Sequence, residues 1–137
     1  MNRNTIFDIY LFCKEVISGK TEELTFSEIK NTVYLVNQLQ EIVSDLDDRY
    51  QKIIKERELY FVKYKKEGRS ISDLNAIIEE SIVPKIKALR DENNFSESLV
   101  FTQEQKNLLC KLIETFGQKY FVDKIKMIEI YDIMKLD

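Results

Sequence analysis

The sequence predicts an all-α fold: a single domain, residues 1–137, of five or six helices around one long helix at about 26–66. Three observations carry this. Between Thr25 and Gly68 no Pro or Gly intervenes, and Ile29, Val33, Val36, Leu39, Val43, Leu46, Tyr50, Ile53, Tyr60 and Tyr64 return every three or four residues, with Arg57 alone interrupting the seam. Three glycines and one proline in 137 residues leave few sites for the tight turns of a multi-stranded sheet. A hydrophobic content of 44% supplies enough apolar side chains for one core.

In chain order, Asn4 or Thr5 is positioned to cap a first helix with Ile6, Ile9, Tyr10, Cys13, Val16 and Ile17 on one side, stopped by Gly19. Lys20 to Glu23 is a short connector. Thr25 and Glu28 then make a T-x-x-E capping box, flanked by Leu24 and Ile29 as a hydrophobic staple. The far end reads Lys63, Lys65, Lys66 and Gly68: cations near a helix C-terminus, then a residue suited to the left-handed cap. An unbroken helix of this length would reach about 60 Å. A bend or break is therefore expected at Ser44 to Asp48, its poorest helix-forming run.

Ser70 or Ser72 starts a third helix with Leu74, Ile77, Ile78, Ile82, Ile86 and Leu89 facing inward. Pro84 lies inside that pattern and removes a helical donor, so it should kink or split the element, move Val83 out of helical geometry and begin the second piece as its first residue. Asp91 to Ser98 is polar and aperiodic, which makes it the one substantial loop, with Phe95 either tucked down or disordered. Thr102 and Gln105 repeat the capping-box pattern and open a helix through Leu108, Leu109, Leu112, Ile113 and Phe116, ending near Gly117. A last helix from about Val122 carries Ile125, Ile128, Tyr131 and Met134 on one face.

Composition also restricts the chemistry. The chain has no His, which removes Ser-His-Asp and Cys-His catalysis and any His-ligated metal. Cys13 and Cys110 are too few for a Cys-rich cluster and read as small buried hydrophobes, with a disulfide between them as the alternative. No glycine-rich phosphate loop is present, and acidic pairs such as Asp47 and Asp48 or Glu79 and Glu80 point about 100° apart on a helix. An enzyme is not expected, nor is a cofactor or a metal. No signal peptide or membrane-length apolar run is visible, so the chain reads as a soluble, cytoplasmic protein.

Two features suggest binding. Leu59, Tyr60, Phe61 and Val62, with Tyr64, are apolar all round the helix. Either other helices of the chain cover them or one side is a partner or self-association surface. The second half of the long helix is also basic, with Lys52, Lys55, Arg57, Lys63, Lys65, Lys66 and Arg69, whereas Glu41, Asp45, Asp47 and Asp48 lie in its middle. Ordinary solvated charge pairs explain such a face; so does a strip that follows a phosphate backbone.

The order of several residues resembles the small helical subunit of type III-A (Csm-type) CRISPR effector complexes. That family opens a long helix with a segment like Leu-Thr-Thr-Ser-x-Ile-Arg, which Leu24, Thr25, Ser27, Ile29 and Lys30 match. An Ala-Gly-Arg-Glu turn follows an aromatic, basic stretch in the family; Tyr64 to Arg69 here reads Tyr-Lys-Lys-Glu-Gly-Arg. Its last helix is similar at Cys110, Glu114 and Tyr120. The resemblance implies a non-catalytic subunit that lines a guide-target duplex and stacks on neighbouring subunits, with Lys30, Lys63, Lys66 and Arg69 on backbone phosphates of RNA.

A second resemblance lies in Val100 to Phe116, whose Phe-Thr-x-x-Gln opening and Gly117 turn are similar to the last core helix of four-helix bacteriocin immunity proteins. It implies a cytosolic protein that blocks a toxin or its receptor by binding. The rival to the subunit reading is thus a stand-alone inhibitor or immunity protein, phage-encoded anti-defence proteins included, which needs no nucleic acid and would bind a protein partner through Leu59, Tyr60, Phe61, Val62 and Tyr64.

Overall fold

The computed structural model describes residues 1–19, 21–121 and 123–135. Six helices are present among them: α1 (Arg3–Ser18), α2 (Phe26–Lys66), α3 (Ile71–Ser81), α4 (Val83–Glu92), α5 (Gln103–Tyr120) and α6 (Lys124–Lys135). The fold is all-α, as composition and periodicity predict. No helix among the described residues is long and apolar enough to cross a membrane.

The chain forms two compact units. One contains residues 1–42 and 96–137, the other 43–95, and α2 contributes to both. In the first unit α5 packs against α6 and α1. Its core gathers Ile6, Ile9, Tyr10 and Cys13 of α1, Leu35 and Leu39 of α2, Leu109 and Leu112 of α5, and Ile130 and Met134 of α6. Phe12 stacks on Phe121 with ring centroids 4.5 Å apart. Phe7 and Phe12 are buried together with Ile6, Ile9, Tyr10, Cys13 and Val16 of the predicted α1 face, while Ile17 is half-buried, so this helix is enclosed on more than one side.

Asn2, rather than Asn4 or Thr5, caps α1: its side chain accepts the Asn4 amide proton at 2.9 Å, which starts the helix at Arg3. The residues ahead of the helix also pair with the loop before α5, where Glu97 N–H donates to the Met1 carbonyl at 2.8 Å. Both predicted capping boxes form. Thr25 and Glu28 exchange bonds of 2.8 and 3.1 Å, and Thr102 and Gln105 exchange bonds of 3.0 and 3.1 Å.

The expected break in α2 falls at Val43, one residue before the Ser44 to Asp48 run; its φ of −114° and ψ of 15° lie outside the helix. At this break the carbonyl of Ile42 accepts from the buried Arg3 guanidinium at 2.9 Å. A side chain that reaches a helical carbonyl is a recognised partner of such breaks.

Three other boundaries differ from the sequence reading. Helix α5 passes through Gly117 to Tyr120, because Gly117 marks a close approach and not an end: a Cβ there would lie 2.5 Å from Met127 Sδ. Helix α4 begins at Val83, which is helical, so Pro84 sits one residue inside the first turn, where its missing N–H is still tolerated. Helix α4 also extends to Glu92, shortening the loop, and Phe95 in that loop is exposed. The sequence places the start of the last helix at about Val122, which lies outside the described residues; α6 is described from Lys124. Its buried face is Ile130 and Met134, while Ile125 and Ile128 are exposed.

In the second unit α4 runs antiparallel to α2 in a regular register. Lys85 donates to both oxygens of Glu56 at 2.7 Å, and seven residues away along each helix Arg49 meets Glu92 at 2.6 Å. Val43, Leu46, Tyr64, Leu74, Ile82 and Leu89 are its buried apolar residues.

Both cysteines are free and buried. Burial pushes the Cys13 thiol up to about 12 and raises that of Cys110.

Candidate nucleic-acid interface

The candidate strip begins with how α2 ends. Gly68 takes a φ of 66°, and two bonds close the terminus: Arg69 N–H to the Tyr64 carbonyl at 3.0 Å and Gly68 N–H to the Lys65 carbonyl at 3.3 Å. This is the Schellman arrangement, in which the second residue past the helix turns back over its last turn. Arg69 is thereby placed on Tyr64, its guanidinium 4.4 Å from the ring centroid. It also lies 3.7 Å from Glu67 and 3.9 Å from Asp73.

The sequence grouped Lys63, Lys66 and Arg69 as phosphate contacts. In the structure Lys63 and Lys66 are exposed and engage in no ion pair among the described residues, whereas Arg69 is shared between a ring and two carboxylates. Lys30 belongs to the other unit, exposed on the first half of α2, with its ammonium 5.7 Å from the Tyr34 ring centroid.

Helical geometry sorts the basic half of α2 and sets Lys52 and Lys55 on one face with Lys63 and Lys66. At 100° per residue, Lys52, Lys55, Val62, Lys63 and Lys66 all fall within about 60° of Leu59. All six are exposed. The spacing 52, 55, 59, 62, 66 alternates steps of three and four, so the common face of these residues, all of them in the predicted basic half, is already legible in the sequence. Four lysines thus surround Leu59 and Val62 over roughly 21 Å of helix. Glu56 stands at the margin of this face, neutralised by Lys85. Asp48 closes its N-terminal end, one turn before Lys52.

The apolar residues of this segment separate into two groups. Leu59 is 69% exposed, Phe61 49% and Val62 53%, while Tyr60 is half-buried and Tyr64 is buried beneath Arg69. Leu59, Phe61 and Val62 therefore form outer surface, and the Tyr64 ring does not.

The chain matches no family model, no curated protein and no solved structure. Among the described residues no group of three or more Cys, Asp or Glu is placed to hold a metal ion. What the strip offers is ammonium groups on flexible stems, which suit point contacts with phosphate oxygens and carry no base-specific hydrogen-bond pattern.

Proposed function

We propose that this protein is a non-catalytic binding and assembly protein whose basic strip on α2 contacts the phosphate backbone of RNA. The observation that carries the reading is the exposed set Lys52, Lys55, Lys63 and Lys66 on one helix face, in no ion pair among the described residues. Binding of this kind is indifferent to sequence and depends steeply on salt, because each neutralised phosphate releases counterions. Its most specific form, resting on the resemblance at Leu24 to Lys30 and Tyr64 to Arg69, is a small subunit of an RNA-guided antiviral complex of the type III CRISPR kind.

The test is fluorescence anisotropy of a labelled RNA at about 50 and 200 mM salt. The wild-type chain should bind at the lower concentration and lose affinity at the higher. Reversing Lys63 and Lys66 to Glu should flatten the log-log salt slope by about 1.4, at ~0.7 per contact with a single strand. No binding at low salt overturns the reading.

A second reading, a helical inhibitor or immunity protein that binds a protein partner, is favoured by one observation: Leu59, Phe61 and Val62 remain on the surface. Leu59→Asp with Val62→Asp should abolish capture of such a partner and leave the melting temperature unchanged.

A further inference from the structure

The opening turns of α2 carry an exposed face separate from the lysine strip. Phe26 is 82% exposed and Tyr34 59%, and Lys30 between them is exposed as well. Relative to Phe26, Lys30 lies about 40° and Tyr34 about 80° around the helix, so all three occupy one side, with the two rings on the order of 12 Å apart along the axis. The residues that this part of α2 gives to the core are others: Thr32, Leu35, Val36 and Leu39.

Two large rings left in water gain little for folding, since the hydrophobic contribution follows the area removed from solvent. Their surroundings narrow the kind of ligand. From Phe26 to Gln40 the only carboxylate is Glu28, about 160° from Phe26 around the helix, where its oxygens engage the Thr25 amide and the Lys111 ammonium. Between Phe26 and Gln40 the face therefore combines aromatic surface with a cation and carries no acid; the exposed Glu41, about 20° from Tyr34 and two turns on, bounds it. Such a combination suits a ligand with planar faces and a nearby negative charge.

We propose that Phe26, Lys30 and Tyr34 form a stacking platform for unpaired nucleotides, so that single-stranded nucleic acid is the ligand class. This rests on the nucleic-acid reading above. Bases stack on the rings of Phe26 and Tyr34, and the phosphate between them meets Lys30. A duplex keeps its base faces stacked on one another and cannot use the platform, while its phosphates remain available to the lysine strip. Base–aromatic stacking contributes about 1–3 kcal/mol per base and tolerates any sequence.

The test compares a labelled single-stranded RNA with an abasic oligonucleotide of equal length, by anisotropy at about 50 mM salt. The Phe26→Ala, Tyr34→Ala double variant should bind the RNA at least about fivefold more weakly, the equivalent of 1 kcal/mol, and bind the abasic strand as the wild type does. Phe26→Tyr with Tyr34→Phe should restore RNA binding. Because the chain has no tryptophan, Tyr34→Trp introduces a sole reporter, whose emission should be quenched by the RNA and not by the abasic strand.

Equal RNA affinity of wild type and Ala variant overturns the platform and leaves the strip reading intact. Failure of the wild type to bind either strand overturns both. Sedimentation that finds a wild-type dimer and a monomeric Ala variant assigns the face to a second copy of the chain and overturns the platform.

Discussion

Arg69 stacks on Tyr64, 4.4 Å from guanidinium to ring centroid, because the helix terminus between them closes through Gly68. The same closure takes a cation that the sequence assigns to the basic strip and commits it to its own helix end. Arg69→Ala should accordingly weaken RNA binding less than Lys63→Ala or Lys66→Ala does. Parallel anisotropy titrations of the three variants check this; an Arg69→Ala loss as large as either lysine's would return Arg69 to the strip.

Leu46 is a buried apolar residue of the second unit, 1% exposed, three residues past the break at Val43. Leu46→Ala should cost about 2–5 kcal/mol, the usual range for a core leucine that leaves a cavity. Urea unfolding followed by circular dichroism measures it. A cost under about 1 kcal/mol would mean that the site collapses around the smaller side chain.

Gly117 allows α5 to approach α6, and Met127 fills the space that a side chain would need. In Gly117→Ala the new methyl group would meet Met127 Sδ and stand 3.2 Å from Ile113 Cγ2. Overpacking of this kind costs about 1–3 kcal/mol, against a gain of about 1 kcal/mol from helix propensity, so the change should be neutral to destabilising. Adding Met127→Ala to Gly117→Ala should cost less than Met127→Ala costs alone, a coupling that a double-mutant cycle reads directly.

Cys13 titrates at about 12 in the fold because burial penalises its thiolate. The unfolded chain releases this proton at an ordinary thiol value, about 8.5, so between roughly pH 9 and 12 the folded state holds the proton that the unfolded state has lost. Stability contributed by this group is therefore complete below about pH 8.5 and declines above it, by up to about 1.4 kcal/mol per pH unit. Cys13→Ala should be less stable at neutral pH and lack that part of the alkaline decline. Urea midpoints of the two proteins from pH 7 to about 10.5 give the comparison.

The elements of this protein are legible in its sequence wherever the signal is local. Thr25 with Glu28 and Thr102 with Gln105 cap their helices across three residues, Gly68 takes the left-handed backbone at the end of α2, and Pro84 separates α3 from α4. Each depends on a few neighbours in the chain, and those neighbours are fixed by the order of residues.

Faces and fates of side chains are different. Ile125 and Ile130 have the same hydrophobicity on the same helix, yet one is exposed and the other buried, because only the packing partners of α6 choose between them. Gly117 looks like a stop until Met127 is seen to need its space. Lys52 and Lys55 stay in the strip because α2 turns them outward together with Lys63 and Lys66, while Tyr64 turns inward and draws Arg69 over its ring. The amino-acid order by itself determined those helix ends that depend on a few neighbouring residues, the two capping boxes and the Gly68 closure, since capping and backbone conformation are short-range. Tertiary structure decided which side of each helix meets water, since burial depends on residues far apart in the chain.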